Sequence, residues 1–517
     1  MSKLYRSILC LATATVLSSC ATIPSSEPAL SPDHWAELAQ QRLPMTEPCT
    51  RPGAKETLLC ATLPVWEDRE ARSGRKIDLE MVIIPAATAT PAPDPLFFLA
   101  GGPGAAASRM GLGMWQATPL RGRDIVLLDQ RGTGASNPLD CDLGGAAGAT
   151  PGKLEEMFPP DKVAACLEEL STRADVTLYT TPIAMDDLNE VRQWLGYDQI
   201  NLRGGSYGSW AIQVYLQRHP ETVRSALAIG MVSPERSNLA ERGRLAQRTF
   251  ERFAAACKGD TACGEAFPRM AAQLPRLLDR LESEPVTVTV PALDDPTTTR
   301  TLSLGRDYVA ERIRLLVYYL FTARALPYAI DAADGGDWVP LARQLLFIER
   351  MFKSSLSYGM LLTVQCSEAM SIFDVDAALA ADAESLFGNY RLAQQKQGCK
   401  AWPVADTPPL GFETLREVDV PVLFVSGRFD TVTAWEYGEE AIRWYPEGRH
   451  LIVEPAHHGV FDVDGAACLW GLMFDYFDQG GHETLDFTCV DEVGRPPWVL
   501  DSESFDTWWN EMTTWYL

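Results

Sequence analysis

The feature that most constrains the fold is a Gly-Gly-Ser-Tyr-Gly run at residues 204–208. It lies between a strand-like apolar stretch at residues 200–202 and a helix-like stretch at residues 210–217. A serine in a sharp turn between a strand and a helix is the arrangement of a nucleophile elbow, where flanking glycines leave room for a tight backbone. The run therefore predicts that Ser206 is a catalytic nucleophile at the end of a buried strand.

A serine hydroxyl attacks only when a base lies beside it and an acid orients that base. Asp430 directly follows a later apolar stretch and is the expected acid, although capping the next helix would suit it equally. His457 and His458 follow the next apolar stretch. We prefer His458 as the base, with His457 as the alternative, because Gly459 beside it permits a close backbone approach. The chain order of Ser, Asp and His is that of the α/β hydrolases.

A Gly-Gly-Pro-Gly run at residues 101–104 follows a further apolar stretch and lies upstream of the elbow. This is where an α/β hydrolase places the first backbone donor of its oxyanion hole, and the second donor is the residue after the nucleophile. Gly102 and Tyr207 are the expected donors. A simple tight turn is the other reading of the glycine run.

Short apolar runs alternate with helical patterns along much of the chain, which predicts a mostly parallel sheet covered by helices on both faces. The fold class is therefore α/β, with an α/β-hydrolase core at residues 49–234 and 407–490 and an inserted, mainly helical cap at residues 235–406. A small hairpin is expected inside the cap, and residues 491–517 form an aromatic tail. The expected strands lie at residues 79–84, 96–99, 125–128, 200–202, 226–229, 422–425 and 451–453.

The first 19 residues combine a basic start with a short apolar run, which predicts a signal peptide. Small residues before Cys20 resemble a bacterial lipoprotein cleavage box, so Cys20 is the expected lipidated N-terminus and residues 20–48 a tether. An ordinary secretory signal is the alternative. We expect an exported protein that meets the membrane, most simply the outer membrane, only through this anchor.

Twelve cysteines are present, and ten remain without Cys10 and Cys20. An even number of cysteines in an exported chain predicts disulfides, and no spacing suits zinc, so no metal or other cofactor is expected. A formal net charge of −24 disfavours binding to nucleic acid. The spacing suggests the pairs Cys49 with Cys60, Cys141 with Cys166, Cys257 with Cys263, Cys366 with Cys399, and Cys468 with Cys489.

Together with Asp430, His458 and the two glycine runs, an Asp-Gln-Arg-Gly-Thr-Gly-Ala-Ser run at residues 129–136 resembles the prolyl iminopeptidases and tripeptidyl aminopeptidases. The resemblance implies cleavage of residues or short peptides from a free N-terminus, and a structural role for the Asp-Gln-Arg-Gly run. Ala100 stands where prolyl iminopeptidases usually have His. This departure favours the tripeptidyl branch.

An aminopeptidase needs a carboxylate for the α-ammonium group of its substrate, because a buried cation without a partner is costly. Glu368 lies in a cap segment similar to one of the aminopeptidases and is the expected partner; a solvated glutamate at a helix end is the alternative. The sequence thus favours a serine aminopeptidase acting on peptides with a free N-terminus. A carboxylic-ester or amide hydrolase with the same triad is the second reading, and a non-catalytic surface binding protein the third. The oligomeric state is left open.

Overall fold

Eleven strands occur in the computed structural model, which describes residues 32–115, 122–143, 154–353, 356–405 and 414–516. They are β1 (Glu47–Cys49), β2 (Leu58–Trp66), β3 (Lys76–Ile84), β4 (Leu96–Leu99), β5 (Ile125–Leu128), β6 (Ile200–Gly205), β7 (Val223–Ile229), β8 (Val286–Pro291), β9 (Thr299–Leu304), β10 (Val422–Gly427) and β11 (Gly448–Val453). Nine of them form one sheet in the order β1-β2-β3-β5-β4-β6-β7-β10-β11. From β5 to β11 every neighbouring pair in this order is parallel, whereas β1, β2 and β3 are antiparallel additions. The predicted α/β-hydrolase fold with a mostly parallel sheet is confirmed.

Helices cover both faces of this sheet. Those of the first part of the core are α1 (Pro32–Arg42), α2 (Ala107–Trp115), α3 (Pro160–Ser171), α4 (Thr181–Leu195) and α5 (Tyr207–Arg218). Those of the cap are α6 (Arg242–Gly259), α7 (Thr261–Ala266), α8 (Met270–Ser283), α9 (Arg306–Leu316), α10 (Leu320–Ala323), α11 (Leu326–Asp334), α12 (Val339–Lys353), α13 (Tyr358–Val364), α14 (Val375–Ala383) and α15 (Tyr390–Ala401). A π-helical turn, Gln365–Ala369, extends α13. The helices after the cap are α16 (Trp435–Ala441), α17 (Ala466–Gln479) and α18 (Ser502–Tyr516).

Alternate residues of the central strands enter different halves of the core, because side chains point to opposite faces along a strand. In β4, Phe97 and Leu99 pack with residues of α4 and α5, whereas Leu96 and Phe98 pack with residues of α2 and α17. All four side chains are buried. Because β4 is apolar on both faces, its sequence is a continuous run of hydrophobic residues.

The segment between β7 and β10 forms the cap, which has an apolar cluster of its own drawn from α6, α8, α9, α11 and α12. The predicted hairpin is present as β8 and β9. The aromatic tail forms α18, whose Trp508 and Trp509 pack against Ala325 and Phe347 of the cap. Trp498, Phe505, Trp508 and Trp509 of the tail therefore pack on the cap rather than on the sheet.

The structure differs from the sequence interpretation near the N-terminus. Part of the expected tether forms α1 and β1, and Ala36, Ala39 and Leu43 are buried in the main core. Arg42 on α1 pairs with buried Asp124 at 2.7 Å. The folded body thus includes residues from 32 onward, because Ala36 and Ala39 on α1 and Leu43 directly after it are buried against the core. Cys20 and the rest of the expected signal peptide lie outside the described residues.

The five predicted disulfide pairings are confirmed. Cys49–Cys60, Cys141–Cys166, Cys257–Cys263, Cys366–Cys399 and Cys468–Cys489 are bonded, with Cα separations of 5.1–5.9 Å. Disulfides form and persist in oxidising compartments. The five disulfide bonds therefore indicate an exported protein. Within the described residues, no helix combines the length and apolar character that spanning a membrane requires.

The Asp-Gln-Arg-Gly run is held in place by a buried ion pair. The guanidinium of Arg131 donates from Nε and Nη2 to Asp187 of α4 at 2.6 and 2.8 Å. Its Nη1 donates to the carbonyl oxygens of Glu67 at 2.8 Å and Leu178 at 2.9 Å. Arg131 is fully buried, so these bonds replace its lost hydration and fix the loop that follows β5.

We predict that Arg131→Met lowers the free energy of unfolding by about 3–5 kcal/mol, because it leaves the Asp187 carboxylate buried with less compensation. Arg69 also contacts Asp187, at 2.7 Å, but its side chain is 24% exposed. Arg69→Met is the matched control and should cost about 1 kcal/mol or less. Urea denaturation of the three proteins measures both changes, and equal losses in the two variants would refute the assignment.

Candidate active site

Ser206 lies in the turn between β6 and α5 with φ 56° and ψ −124°, a left-handed conformation that non-glycine residues rarely adopt. The neighbouring glycines make the turn possible. A methyl group on Gly208 would come 2.3 Å from the carbonyl oxygen of Leu99, and one on Gly204 would come 2.7 Å from that of Gly208. The absence of these side chains lets α5 begin directly against the end of β4.

Asp430 and His458 follow β10 and β11, which are parallel neighbours, so their carboxyl ends meet at one edge of the sheet. Nδ1 of His458 lies 2.6 Å from Oδ2 of Asp430. The hydroxyl of Thr433 donates to the same oxygen at 2.6 Å, and the backbone N–H groups of Val432 and Thr433 donate to Oδ1 at 2.7 and 2.8 Å. Asp430 is thus oriented by four hydrogen bonds, one of them with the imidazole.

Asp430 is 2% exposed. Burial opposes its ionisation, but the positive charge that His458 can carry and the hydrogen bonds from His458 and Thr433 outweigh burial and hold the pKa of Asp430 below its ordinary value. Asp430 is therefore an anion at neutral pH. An anion in this position favours the His458 tautomer with a proton on Nδ1 and stabilises the imidazolium form.

His457 faces the other way. Its Nδ1 donates to the carbonyl oxygen of Val317 at 2.7 Å, and its ring stacks on Phe429. Burial, followed by the charge of Arg495, lowers the pKa of His457 to about 3. Of the two adjacent histidines, the structure brings His458 to the acid and gives the neutral His457 a packing role.

One cavity of about 460 Å³ lies between the core and the cap and has Ser206 in its wall. Gly102, Tyr207, Tyr318 and Glu368 line the same cavity. The cap residue Tyr318 neighbours the Ser206 side chain, and its ring centre is 4.4 Å from that of His458. The cap thus closes over the Ser206 and His458 side chains.

The expected oxyanion donors lie on the two segments that flank Ser206. Gly102 is in the loop after β4, where a methyl group on its neighbour Gly101 would lie 3.5 Å from Cβ of Ser206. Tyr207 is the first residue of α5. Among the described residues, neither backbone N–H donates to a protein acceptor. Two backbone N–H groups near a nucleophile can stabilise an oxyanion.

Glu368 is only 3% exposed and lies at the cavity wall in the π-helical turn. Its Oε1 accepts from the backbone N–H of Thr181 at 2.7 Å, and its Oε2 accepts from the Thr181 hydroxyl and from Nε1 of Trp210, both at 2.8 Å. The Thr181 hydroxyl also lies 2.9 Å from that of Tyr207, the residue after Ser206. Glu368 is not the solvated glutamate that was the alternative reading.

Burial raises the pKa of Glu368 to about 7, although the hydrogen bonds from Thr181 and Trp210 act in the opposite direction. In the part of the chain that the structure describes, no Arg or Lys forms an ion pair with it. A cation entering the cavity would favour the ionised form of Glu368 and lower its pKa.

Several site residues were not found from the sequence. A hydroxyl three residues after Asp430 is a common capping pattern, so Thr433 could have been found locally. Tyr318 carries no local signal, because it belongs to the cap. The contacts of Thr181 and Trp210, which belong to the core, with Glu368 form only when the cap docks on the core. Across the described ranges, no group of three or more His, Cys, Asp or Glu side chains could hold a metal ion.

The chain is similar in sequence to several known proteins. Residues 384–489 match the model of the family described as TAP-like protein. The tripeptidyl aminopeptidase of Streptomyces coelicolor is 23% identical over 445 residues, covering 78% of this chain and 77% of the relative. The Escherichia coli protein YuaR, named a hydrolase, is 30% identical over 203 residues, covering 37% and 40%. The proline iminopeptidase of Neisseria gonorrhoeae is 31% identical over 137 residues, covering 26% and 32%.

The alignments thus span less than half the length of YuaR and of the iminopeptidase, and about three quarters of the tripeptidyl aminopeptidase. They agree with the resemblance drawn from the sequence motifs. The chain has the α/β-hydrolase fold, is similar in sequence to a tripeptidyl aminopeptidase and to proline iminopeptidases, and matches the TAP-like model over residues 384–489.

Proposed function

We propose that the chain is an exported serine peptidase that releases short N-terminal peptides or single residues from oligopeptides through an acyl-enzyme on Ser206. The observation that carries the proposal is a buried carboxylate, Glu368, which has no Arg or Lys partner among the described residues and lies on the cavity that also contains Ser206. The names of the relatives, tripeptidyl aminopeptidase and proline iminopeptidase, point to the same substrate class.

In the proposed reaction, His458 removes the hydroxyl proton of Ser206 as the oxygen attacks the peptide carbonyl carbon. Asp430 keeps the imidazole oriented and stabilises its positive charge, and the N–H groups of Gly102 and Tyr207 bind the oxyanion. His458 then gives its proton to the leaving amine. Water, activated by the same imidazole, hydrolyses the ester on Ser206 and frees the N-terminal fragment.

Glu368 would bind the α-ammonium group of the acyl part of the substrate. A carboxylate with a pKa near 7 and no cation of its own gains an ion pair when an ammonium group arrives, whereas an N-acylated peptide brings no charge. The hydrogen bonds from Thr181 and Trp210 hold the carboxylate in place from the core side. This arrangement would select for a free N-terminus.

We also propose that the mature protein is held at the cell envelope by a lipid on Cys20, most simply at the outer membrane. The small residues before Cys20 support this proposal, and the disulfides agree with a location outside the cytoplasm. Metabolic labelling with a palmitate analogue, compared between the natural chain and Cys20→Ala, tests the anchor; label retained in Cys20→Ala would contradict it.

The assignment of the base predicts opposite results for two adjacent histidines. His458→Gln should lower kcat for a neutral p-nitrophenyl ester by about 10⁴-fold or more, because no base remains for Ser206. His457→Gln should keep most of its turnover per folded molecule, counted by titration with a fluorophosphonate. Ser206→Ala should lose the label altogether. A large loss in His457→Gln with turnover preserved in His458→Gln would reverse the assignment.

The assignment of Glu368 predicts a change confined to substrates with an ammonium group. Glu368→Gln keeps the shape of the side chain and should raise KM for free tripeptide amides at least about tenfold, since it removes one charge-assisted contact. Hydrolysis of a neutral ester should change far less. Glu156, an exposed carboxylate on the same cavity, supplies the control Glu156→Gln. Equal effects of Glu368→Gln on peptide and ester would refute the role.

A further inference from the structure

The cap side of the cavity carries more positive charge than its own carboxylates can neutralise. Arg242, Arg314 and Arg391 lie together there, with Glu311 as the acid among them. Glu311 is already engaged, since it accepts from Nε and Nη2 of Arg314 at 2.9 and 2.5 Å. Two of the three guanidinium groups therefore have no carboxylate partner among the described residues.

Arg242 is the less satisfied of these two. Its Nε is buried without a hydrogen-bond partner, and no ion pair to it occurs in the part of the chain that the structure describes. Arg391 is 9% exposed, and within the described residues its hydrogen bonds go to neutral amide oxygens, those of Gln395 at 3.0 Å and Gln365 at 2.9 Å. Each keeps N–H groups free to bind a further acceptor, because a guanidinium has five.

Burial and the neighbouring charges oppose both cations. Burial, followed by repulsion from Arg314, lowers the pKa of Arg242 to about 10, and burial followed by repulsion from Arg242 and Arg314 lowers the pKa of Arg391 to about 10. Both groups nevertheless stay charged at neutral pH. Arg242 begins α6 and Arg391 is in the first turn of α15, where the helix dipole also disfavours a cation.

Other arginines on the same cavity show the contrast. Arg236 pairs with Glu440 at 2.5 Å, and Arg312 lies 3.6 Å from Glu349. Arg236 and Arg312 each have a carboxylate partner, although Glu349 also lies 3.8 Å from Arg300. Arg242 and Arg391 have no carboxylate partner among the described residues, and an incoming anion would relieve their charge.

We propose that Arg242 and Arg391 form a subsite for a carboxylate group of the substrate, so that the enzyme prefers peptides that carry an acidic group. The proposal rests on the function proposed above and extends it. Glu368 and the arginines line one cavity with Ser206, so a bound peptide can place its ammonium group at Glu368 and its carboxylate at the arginines. The carboxylate is either an Asp or Glu side chain or the free C-terminus of a short peptide.

The test compares each acid with its uncharged amide. In the first series, the peptides have an amidated C-terminus and carry either Glu or Gln at one position at a time. In the second series, all side chains are neutral and the C-terminus is either free or amidated. In the natural enzyme, kcat/KM for the acid should exceed that for the amide roughly tenfold in at least one series. The series that shows the preference identifies the source of the carboxylate.

The preference should fall to about one in Arg242→Gln and persist in the matched control Arg236→Gln. The ratio is measured within each protein, so an incompletely folded preparation does not distort it, and Arg391→Gln replaces Arg242→Gln if that variant does not fold. Ratios near one in both series of the natural enzyme would overturn the proposal. A preference for the acid over the amide that persists in Arg242→Gln would also overturn the proposal.

An inhibition assay distinguishes failure of the proposed peptidase function from failure of the proposed carboxylate subsite. N-acetylated acid and amide peptides compete against a neutral p-nitrophenyl ester, which reads carboxylate binding without an ammonium group and without peptide cleavage. If no peptide is cleaved but the acid inhibits roughly tenfold more strongly than the amide, the peptidase function fails and the carboxylate subsite stands. Equal inhibition by the acid and the amide would contradict the carboxylate subsite but not the peptidase function.

Discussion

The backbone turn at Ser206 is the constraint on which the rest of the site depends. A non-glycine residue at φ 56° stores strain of about 1–3 kcal/mol, which the surrounding packing must offset. Here α5 begins against the end of β4, and Gly204 and Gly208 have no side chains to prevent that contact. The turn places Ser206 at the sheet edge where β10 and β11 also end, so Asp430 and His458 need only short loops to reach it.

The cap supplies the other half of the site. Its residues 317–321 are bonded to the loop that carries His458: the N–H of His458 donates to the carbonyl oxygen of Tyr318 at 3.0 Å, and Asp462 accepts from the N–H groups of Leu320 and Phe321 at 2.6 and 3.2 Å. In addition, Glu368 of the cap accepts hydrogen bonds from Thr181 and Trp210 of the core. The cap is thereby fixed against the core on two sides of the cavity, and its charges face the space in which a substrate would lie.

The features that could be predicted from the sequence depend on residues close together in the chain, whereas those that could not be predicted depend on contacts between distant segments. The elbow, the acid after β10 and the histidines after β11 follow from strand ends and short loops, which leave a local pattern in the residues. The disulfide pairs were predictable because each joins cysteines no more than 33 residues apart. Tyr318, Arg242 and Arg391 were not predicted, because they meet only after the cap has folded and docked. The role of α1 was missed since its few apolar residues do not form a strong helical pattern.

The central claim is that the enzyme requires a free N-terminus on its substrate. Mass spectrometry of the products from one oligopeptide, with its N-terminus either free or acetylated, tests it most directly. We expect the free peptide to lose a short N-terminal fragment and the acetylated peptide to remain intact, although the enzyme preparation is fully labelled by a fluorophosphonate. Equal cleavage of the two peptides, or cleavage of the acetylated one alone, would contradict it.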